Sequence, residues 1–321
     1  MKKLLLASVA TIATVSAFSA FAADLPSRKA APVYAPPPPM WTGFYAGLNA
    51  GYNFGTNANG YSQNWGTNWV SPAGIPNLVP AGGVALPGTA PISMDAFASN
   101  TQSGFIGGGQ IGYNYQYGSN ILLGVEADIQ GTGIRGTARG GGAAASSQVN
   151  NVPTTGSTWS SNAVGQTGIQ GGVDWLGTVR GRIGYLWTPT LLVYGTGGFA
   201  YGGVYANVAQ AAYENVSVAG AYAQTNTWVG GGRQNQLLTG WTAGGGAEWM
   251  FMPNWSLKAE ALYWDLGRMN VQTASFGVAG VPAVPNNLGW GRSSVSYQGV
   301  QAKVGVNYHF NWGAAPVVAK Y

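Results

Sequence analysis

Between Trp41 and Phe310 the chain repeats one pattern. Large apolar residues alternate with small or polar ones, in eight stretches of about ten residues each. A period of two makes each stretch a strand with two unlike faces. In 44–54, Phe44, Ala46, Leu48, Ala50, Tyr52 and Phe54 alternate with Tyr45, Gly47, Asn49, Gly51 and Asn53. In 105–117, Phe105, Ile111, Tyr113, Tyr115 and Tyr117 share a face opposite Gln110, Asn114 and Gln116. Ile121, Leu123, Val125, Ala127 and Ile129 then alternate with Glu126, Asp128 and Gln130. In 175–185, Trp175, Val179, Ile183 and Tyr185 alternate with Thr178, Arg180 and Arg182, and in 191–201 the apolar set is Leu191, Val193, Phe199 and Tyr201. Trp241, Ala243, Ala247, Trp249 and Phe251 oppose Thr242 and Glu248. Trp255, Leu257, Ala259, Ala261 and Tyr263 oppose Ser256, Lys258 and Glu260. Last, Val300, Ala302, Val304, Val306, Tyr308 and Phe310 oppose Gln301, Lys303, Asn307 and His309.

Two features decide what the apolar faces meet. No Lys, Arg, Asp or Glu falls in any of the apolar rows. Charged residues are 7% of the chain, against about 25% in a typical soluble domain. A surface with so little charge suits hydrocarbon better than water. Beyond the N-terminus, Gly, Asn, Trp or a charge interrupts every apolar run before it reaches the length of a spanning helix. A closed barrel is the other way to satisfy a backbone in lipid. Ten residues suit a tilted spanning strand, and eight is an even number, as single-chain bacterial barrels have. The pattern predicts an all-β chain: an eight-stranded antiparallel up-and-down transmembrane β-barrel with four long external loops, in the outer membrane.

The connections alternate in length. Gly118-Ser119-Asn120, the stretch around Trp187-Thr188-Pro189, and Met252-Pro253-Asn254 are short turn signals. Between them lie four long connections, roughly 55–102, 131–172, 202–238 and 268–294, rich in Gly, Asn, Ser, Thr and Ala. Short turns on one side and long connections on the other put both ends of the barrel in the periplasm. Tyr115, Tyr117, Tyr185, Trp249, Phe251, Trp255, Tyr308 and Phe310 gather at the short-turn side, and Tyr52, Phe54, Phe105, Trp175, Tyr201, Trp241 and Tyr263 at the other. These read as two interfacial girdles.

The polar rows hold Glu126, Asp128, Glu248 and Glu260 with Arg180, Arg182, Lys258 and Lys303. Four acids match four bases. An eight-stranded interior is just wide enough for side chains to fill it. Buried ions are costly unless they pair. The eight residues are therefore expected to form a structural lumen charge cluster, with a narrow conducting path as the alternative.

Lys2 and Lys3, the apolar run Leu4–Ala17 and the small-x-small triplet Ala20-Phe21-Ala22 read as an export signal over 1–22. A Pro-rich periplasmic leader over 23–40 follows, then the barrel over 41–310 and an extension over 311–321. There is no cysteine, so neither disulfides nor a lipid-modified N-terminal cysteine enter. A formal charge of +5 that includes both signal lysines is too weak and scattered for nucleic-acid binding.

Ordered segments carry a family resemblance. They are Trp-Thr-Gly-Phe-Tyr-Ala-Gly at 41–47, Gly-Gly-Gly-Gln-Ile-Gly-Tyr-Asn at 107–114, Gly-Val-Glu-Ala-Asp at 124–128 and Thr-Val-Arg-Gly-Arg-Ile-Gly-Tyr at 178–185. Tyr-Gly-Thr-Gly-Gly-Phe-Ala-Tyr-Gly at 194–202, Gly-Trp-Thr-Ala-Gly-Gly-Gly-Ala-Glu at 240–248 and Asn-Trp-Ser-Leu-Lys-Ala-Glu at 254–260 complete the set. The chain resembles the alphaproteobacterial outer-membrane β-barrel family of the outer membrane immunogenic protein or porin type, related in architecture to the OmpA membrane domain. The resemblance implies a cell-envelope role and surface antigenicity; some members bind haemin. It also implies a terminal aromatic read by the barrel-assembly machinery. Tyr308 and Phe310 fit that place, but the chain continues to Tyr321, a second candidate.

No catalytic, cofactor-binding or metal-binding set emerges. Gly107, Gly109 and Gly112 match a dinucleotide-loop spacing but open no helix. His309 is the sole histidine, and it falls at the periplasmic end of its strand. The long connections hold Arg135, Arg139, Arg233, Arg268 and Arg292 against Asp95 and Glu214. That weak basic excess fits lipopolysaccharide phosphates or ordinary solvated charge. Trp65, Trp69, Trp159 and Trp228 are candidates for adhesive contacts or for covering the barrel mouth. The expected function is a structural envelope protein whose external face contacts lipopolysaccharide or partners. The alternatives are a narrow porin and a loop-borne receptor, for example for haemin.

Overall fold

The computed structural model describes residues 41–55, 57–69, 89–150, 157–218, 222–279 and 288–310. Among the described residues all regular structure is β: β1 Gly43–Gly55, β2 Asn57–Trp69, β3 Thr89–Thr101, β4 Gly104–Tyr117, β5 Ile121–Asn150, β6 Ser157–Thr188, β7 Leu191–Val218, β8 Tyr222–Met252, β9 Trp255–Ala279 and β10 Leu288–Phe310. Eight antiparallel strands form one ring in the order β1-β4-β5-β6-β7-β8-β9-β10, closed by β1 on β10. The hairpin β2–β3 continues β1 and β4 on the outer side. On β10, β1 pairs up to Gly299 and β2 resumes at Ser294.

The short turns lie where the sequence marks them. Gly118 takes φ 64° between β4 and β5, and Asn254 takes φ 72° between β8 and β9. Both are residue types that enter the left-handed region at low cost. Asn254 also clips the last strand: its backbone carbonyl accepts from His309 N and its side-chain amide donates to His309 O, both at 2.7 Å.

The spanning rows face as the alternation indicates. Phe44, Leu48, Phe105, Ile111, Val125, Ile129, Ile183, Phe199, Trp249 and Val304 are exposed to the lipid side. Asn49, Asn53, Gln110, Asn114, Gln301 and Asn307 are buried in the lumen.

The external connections differ from open loops. Most of their residues continue as paired strand, so that β5 to β8 run for 28–32 residues, roughly 100 Å along each strand. Beyond the outer girdle the polarity inverts. Ile134, Ile169, Val173, Val204, Val208, Met269, Val271, Val295 and Tyr297 point inward and form one apolar core with Ile106, Leu176, Leu238, Trp264 and Leu266. Bulges at the changeover reset the facing. The β5–β6 register shifts between Gly131/Ile134 and Val173/Trp175, and the β9–β10 register between Tyr297/Gln298, opposite Leu266. On β6 the buried positions accordingly change from Leu176, Thr178 and Arg180 to Val173, Gly171 and Ile169. Gly, Ser, Thr and Ala between the apolar residues mask this second alternation in the sequence. The export signal, leader, extension and Tyr321 lie outside the described residues, as do the side chains of Trp65, Trp69, Trp159 and Trp228.

Candidate functional site

The polar faces of β5, β6, β8, β9 and β10 converge on the lumen axis in one ion network. Arg180 from β6 is its hub. Its Nη2 donates to Glu126 Oε1 at 2.5 Å and Asp128 Oδ2 at 2.8 Å, and its Nη1 to Glu260 Oε1 at 2.8 Å. Lys258 Nζ donates to both Glu126 oxygens, at 2.7 and 2.8 Å, and lies 3.3 Å from Glu260. Lys303 Nζ donates to Asp128 at 3.0 Å and lies 3.3 Å from Glu260. Arg182 Nη1 donates to Glu248 at 3.1 Å and lies 3.5 Å from Glu126. All eight residues picked from the polar rows are thus in one connected set, each 5% exposed or less.

Neutral groups add to the shell, and charge counting alone does not reveal them. Tyr45 donates to Glu126 at 2.6 Å and Tyr194 to Glu260 at 2.8 Å. The Arg182 guanidinium lies between those two rings, 4.8 and 5.2 Å from their centroids. Its Nε donates to Asn114 at 2.9 Å. Glu248 accepts from Asn307 at 2.7 Å and Ser256 at 2.5 Å. Their signal in the sequence is parity: each shares the inward row of its strand. Glycines supply the room. Gly112 stands directly across from Glu126 and Gly246 from Glu260. A Cβ at Gly112 would collide with the Tyr45 ring, and one at Gly246 would press on the Tyr194 hydroxyl.

Apolar layers close the lumen on both sides of this network. Toward the periplasm, Trp41, Leu122, Leu186, Leu192, Tyr194 and Met250 form a buried cluster. The Trp41 indole donates to Pro189 O at 2.9 Å and meets His309 edge-on at 5.5 Å. Toward the outside stands the apolar core of the strand extensions.

His309 Nε2 lies 2.9 Å from Ser256 Oγ and 3.2 Å from Glu248 Oε1. The arrangement is not a nucleophile relay, because serine and carboxylate meet the same ring nitrogen instead of opposite ones. Tyr308 and Phe310 lie at the periplasmic end of β10, with Tyr308 ringed by Trp255 at 5.1 Å and Phe310 at 5.0 Å.

No protein-family model matches the chain. Among characterised proteins, the 31 kDa outer-membrane immunogenic protein of Brucella melitensis biotype 1 is 35% identical over 214 residues, covering 65% of this chain and 68% of the relative. The chain belongs to this family of alphaproteobacterial outer-membrane barrels. A further relative, the 22 kDa outer membrane protein of Rhizobium leguminosarum bv. viciae, is 34% identical over 131 residues, 39% of this chain and 47% of that one. Members of the family reside in the outer membrane, and so does this barrel. Among solved structures, OprG of Pseudomonas aeruginosa aligns at 10% identity with a TM-score of 0.35, over 84% of this chain and 97% of that one. Ail of Yersinia pestis aligns at 9% identity with a TM-score of 0.27, over 82% and 99%. The fold assignment rests on the closed ring of strands in this family member.

Proposed function

We propose that the protein is a sealed structural barrel that supports the cell envelope and presents its extracellular face to lipopolysaccharide and partners. The observation that carries the reading is the stacking of three closures along one axis: the Trp41 layer, the ion network and the outer apolar core. A solute path would have to breach all three. Buried ions held by several partners each resist rearrangement, because freeing one leaves its partners uncompensated. The immunogenic naming of the relatives supports surface exposure and antigenicity for this chain as well.

The same geometry supports a non-catalytic reading. Ser256, His309 and Glu248 are sealed inside the wall at 0, 2 and 0% exposure, where a substrate does not reach them. Insertion by the barrel-assembly machinery, with an aromatic of the last strand as the signal, completes the proposal.

The test is a deletion strain. Loss of the protein should raise leakage of periplasmic enzymes and sensitivity to detergent, and the wild-type gene should restore both. An intact envelope after deletion, with slower uptake of small solutes instead, would overturn the structural reading.

A further inference from the structure

The strands continue past the outer girdle with a consistent outward side, and five arginines stand on it. Arg135 and Arg139 lie on β5, Arg233 on β8, Arg268 on β9 and Arg292 on β10; all are exposed. From Trp41 to Phe310 the only lysines are Lys258 and Lys303, both in the lumen. The outward side above the girdle therefore uses arginine alone as its cation. Among residues with described side chains, the acids on that side are Asp174, which pairs with Arg135 at 3.0 Å, and Asp265, which accepts from Gly267 N at 2.7 Å. No ion pair joins Arg139, Arg233, Arg268 or Arg292 to another residue whose side chain is described.

Their heights fall into two tiers. Arg233 lies eight residues beyond Trp241 on its own strand. Arg139 lies eight beyond Gly131, which pairs with Trp175, and Arg292 eight beyond Val300, which pairs with Tyr263. Arg135 lies four beyond Gly131 and Arg268 five beyond Tyr263, with a bulge between them. At the strand rise and a tilt of about 45°, the tiers stand roughly 9 and roughly 19 Å above the girdle. The lower height is that of phosphates attached at the acyl boundary. The upper is that of anionic groups on sugars above them. Guanidinium matches phosphate through paired donors, which a lysine does not offer.

We propose that these arginines form a two-tier belt for the phosphorylated glycolipid of the outer leaflet. Arg135 and Arg268 meet its membrane-level phosphates. Arg139, Arg233 and Arg292 meet the anionic groups of its sugar core. The inference deepens the lipopolysaccharide contact proposed above and rests on it. Arg135 is the oriented member: its Nη1 donates to the carbonyls of Ile134 and Val173 at 2.9 Å, and the guanidinium sits 5.1 Å from the Tyr205 ring.

The test captures tagged, refolded barrel from detergent containing bis-phosphorylated lipid A, core-bearing lipopolysaccharide or dephosphorylated lipid A, and quantifies the glycolipid retained. Heat-modifiable gel mobility confirms that each variant is folded. Arg268→Gln should lower lipid A retention about fivefold, with partial recovery in Arg268→Lys. The triple variant Arg139→Gln/Arg233→Gln/Arg292→Gln should keep wild-type retention of lipid A and lose the extra retention of core-bearing lipopolysaccharide. Equal retention of dephosphorylated lipid A, or wild-type retention by the combined five-site variant, would overturn the belt. Displacement by inorganic phosphate at matched ionic strength would do so too, by making free phosphate the ligand. Conductance of the same preparations is read separately: a conducting barrel that still retains glycolipid sinks the sealed reading and leaves the belt standing.

Discussion

Glu126 of β5 and Arg180 of β6 are direct cross-strand partners, and their carboxylate and guanidinium meet at 2.5 Å with both side chains buried. The pair ties the backbone register to the lumen chemistry. A one-residue slip between these strands would turn Arg180 toward lipid and leave Glu126 without its partner. Register is fixed here by electrostatics as well as by apolar rows.

Removing one member of the network should therefore cost more than removing a matched pair. Arg180→Met is expected to destabilise the barrel by about 3–5 kcal/mol, because three carboxylates lose a cation. Lys258→Glu should be at least as damaging, since it sets a third acid beside Glu126 and Glu260. Urea unfolding in lipid vesicles, followed by tryptophan fluorescence, measures both. A Lys258→Glu barrel of wild-type stability would contradict the paired lumen.

Small residues opposite the charges are a second point of sensitivity. Gly112→Val should push Tyr45 off Glu126, at a cost of about 1–3 kcal/mol. The same substitution at Gly109, where a Cβ meets only Gly47 O at 3.8 Å, should be tolerated. Comparing the two by thermal unfolding separates lumen crowding from a general loss of glycine.

The inversion of polarity along the strands predicts opposite tolerances on the outer surface. Val304→Arg, on the lipid face, should cost about 2–4 kcal/mol near the midplane. Gln272→Arg, outward on the extension of β9 and directly across from Arg292, should cost less than about 1 kcal/mol, the like-charge penalty of a solvated cross-strand pair. Inward there, Val271→Asp should destabilise strongly, because it places a carboxylate in an apolar core. Equal penalties for Val304→Arg and Gln272→Arg would mean the extension is not in water.

Trp41 should act as a stopper whose loss weakens the barrel without opening it. Trp41→Ala is expected to cost about 3–5 kcal/mol, as for other buried tryptophans. The network above remains intact, so ion flux through vesicles containing the variant should stay at background.

The spanning half was legible in the sequence because lipid enforces a strict rule. Rows such as Val300 to Phe310 carry no charge, and the alternate rows carry all of it, so facing and pairing follow from parity. The outer half was not legible as strand. There the apolar residues point inward, they are spaced by Gly, Ala, Ser and Thr, and bulges near Gly131, Asp174 and Leu266 shift the phase. A reading that carries one phase from end to end loses Val173, Met269 and Val271. Tyr45 and Tyr194 illustrate a different limit. Their parity was visible, but the guanidinium between their rings joins residues from β1, β6 and β7, which only closure of the ring brings together.

The most direct test of the sealed lumen is single-channel recording of the refolded protein in a planar bilayer, beside a Lys258→Met/Glu260→Gln double variant. Insertion is verified by protease protection of the membrane half. The predicted result is a silent wild type. Steady conductance whose ion selectivity changes in the double variant would contradict the account and make the inward charges the lining of a pore.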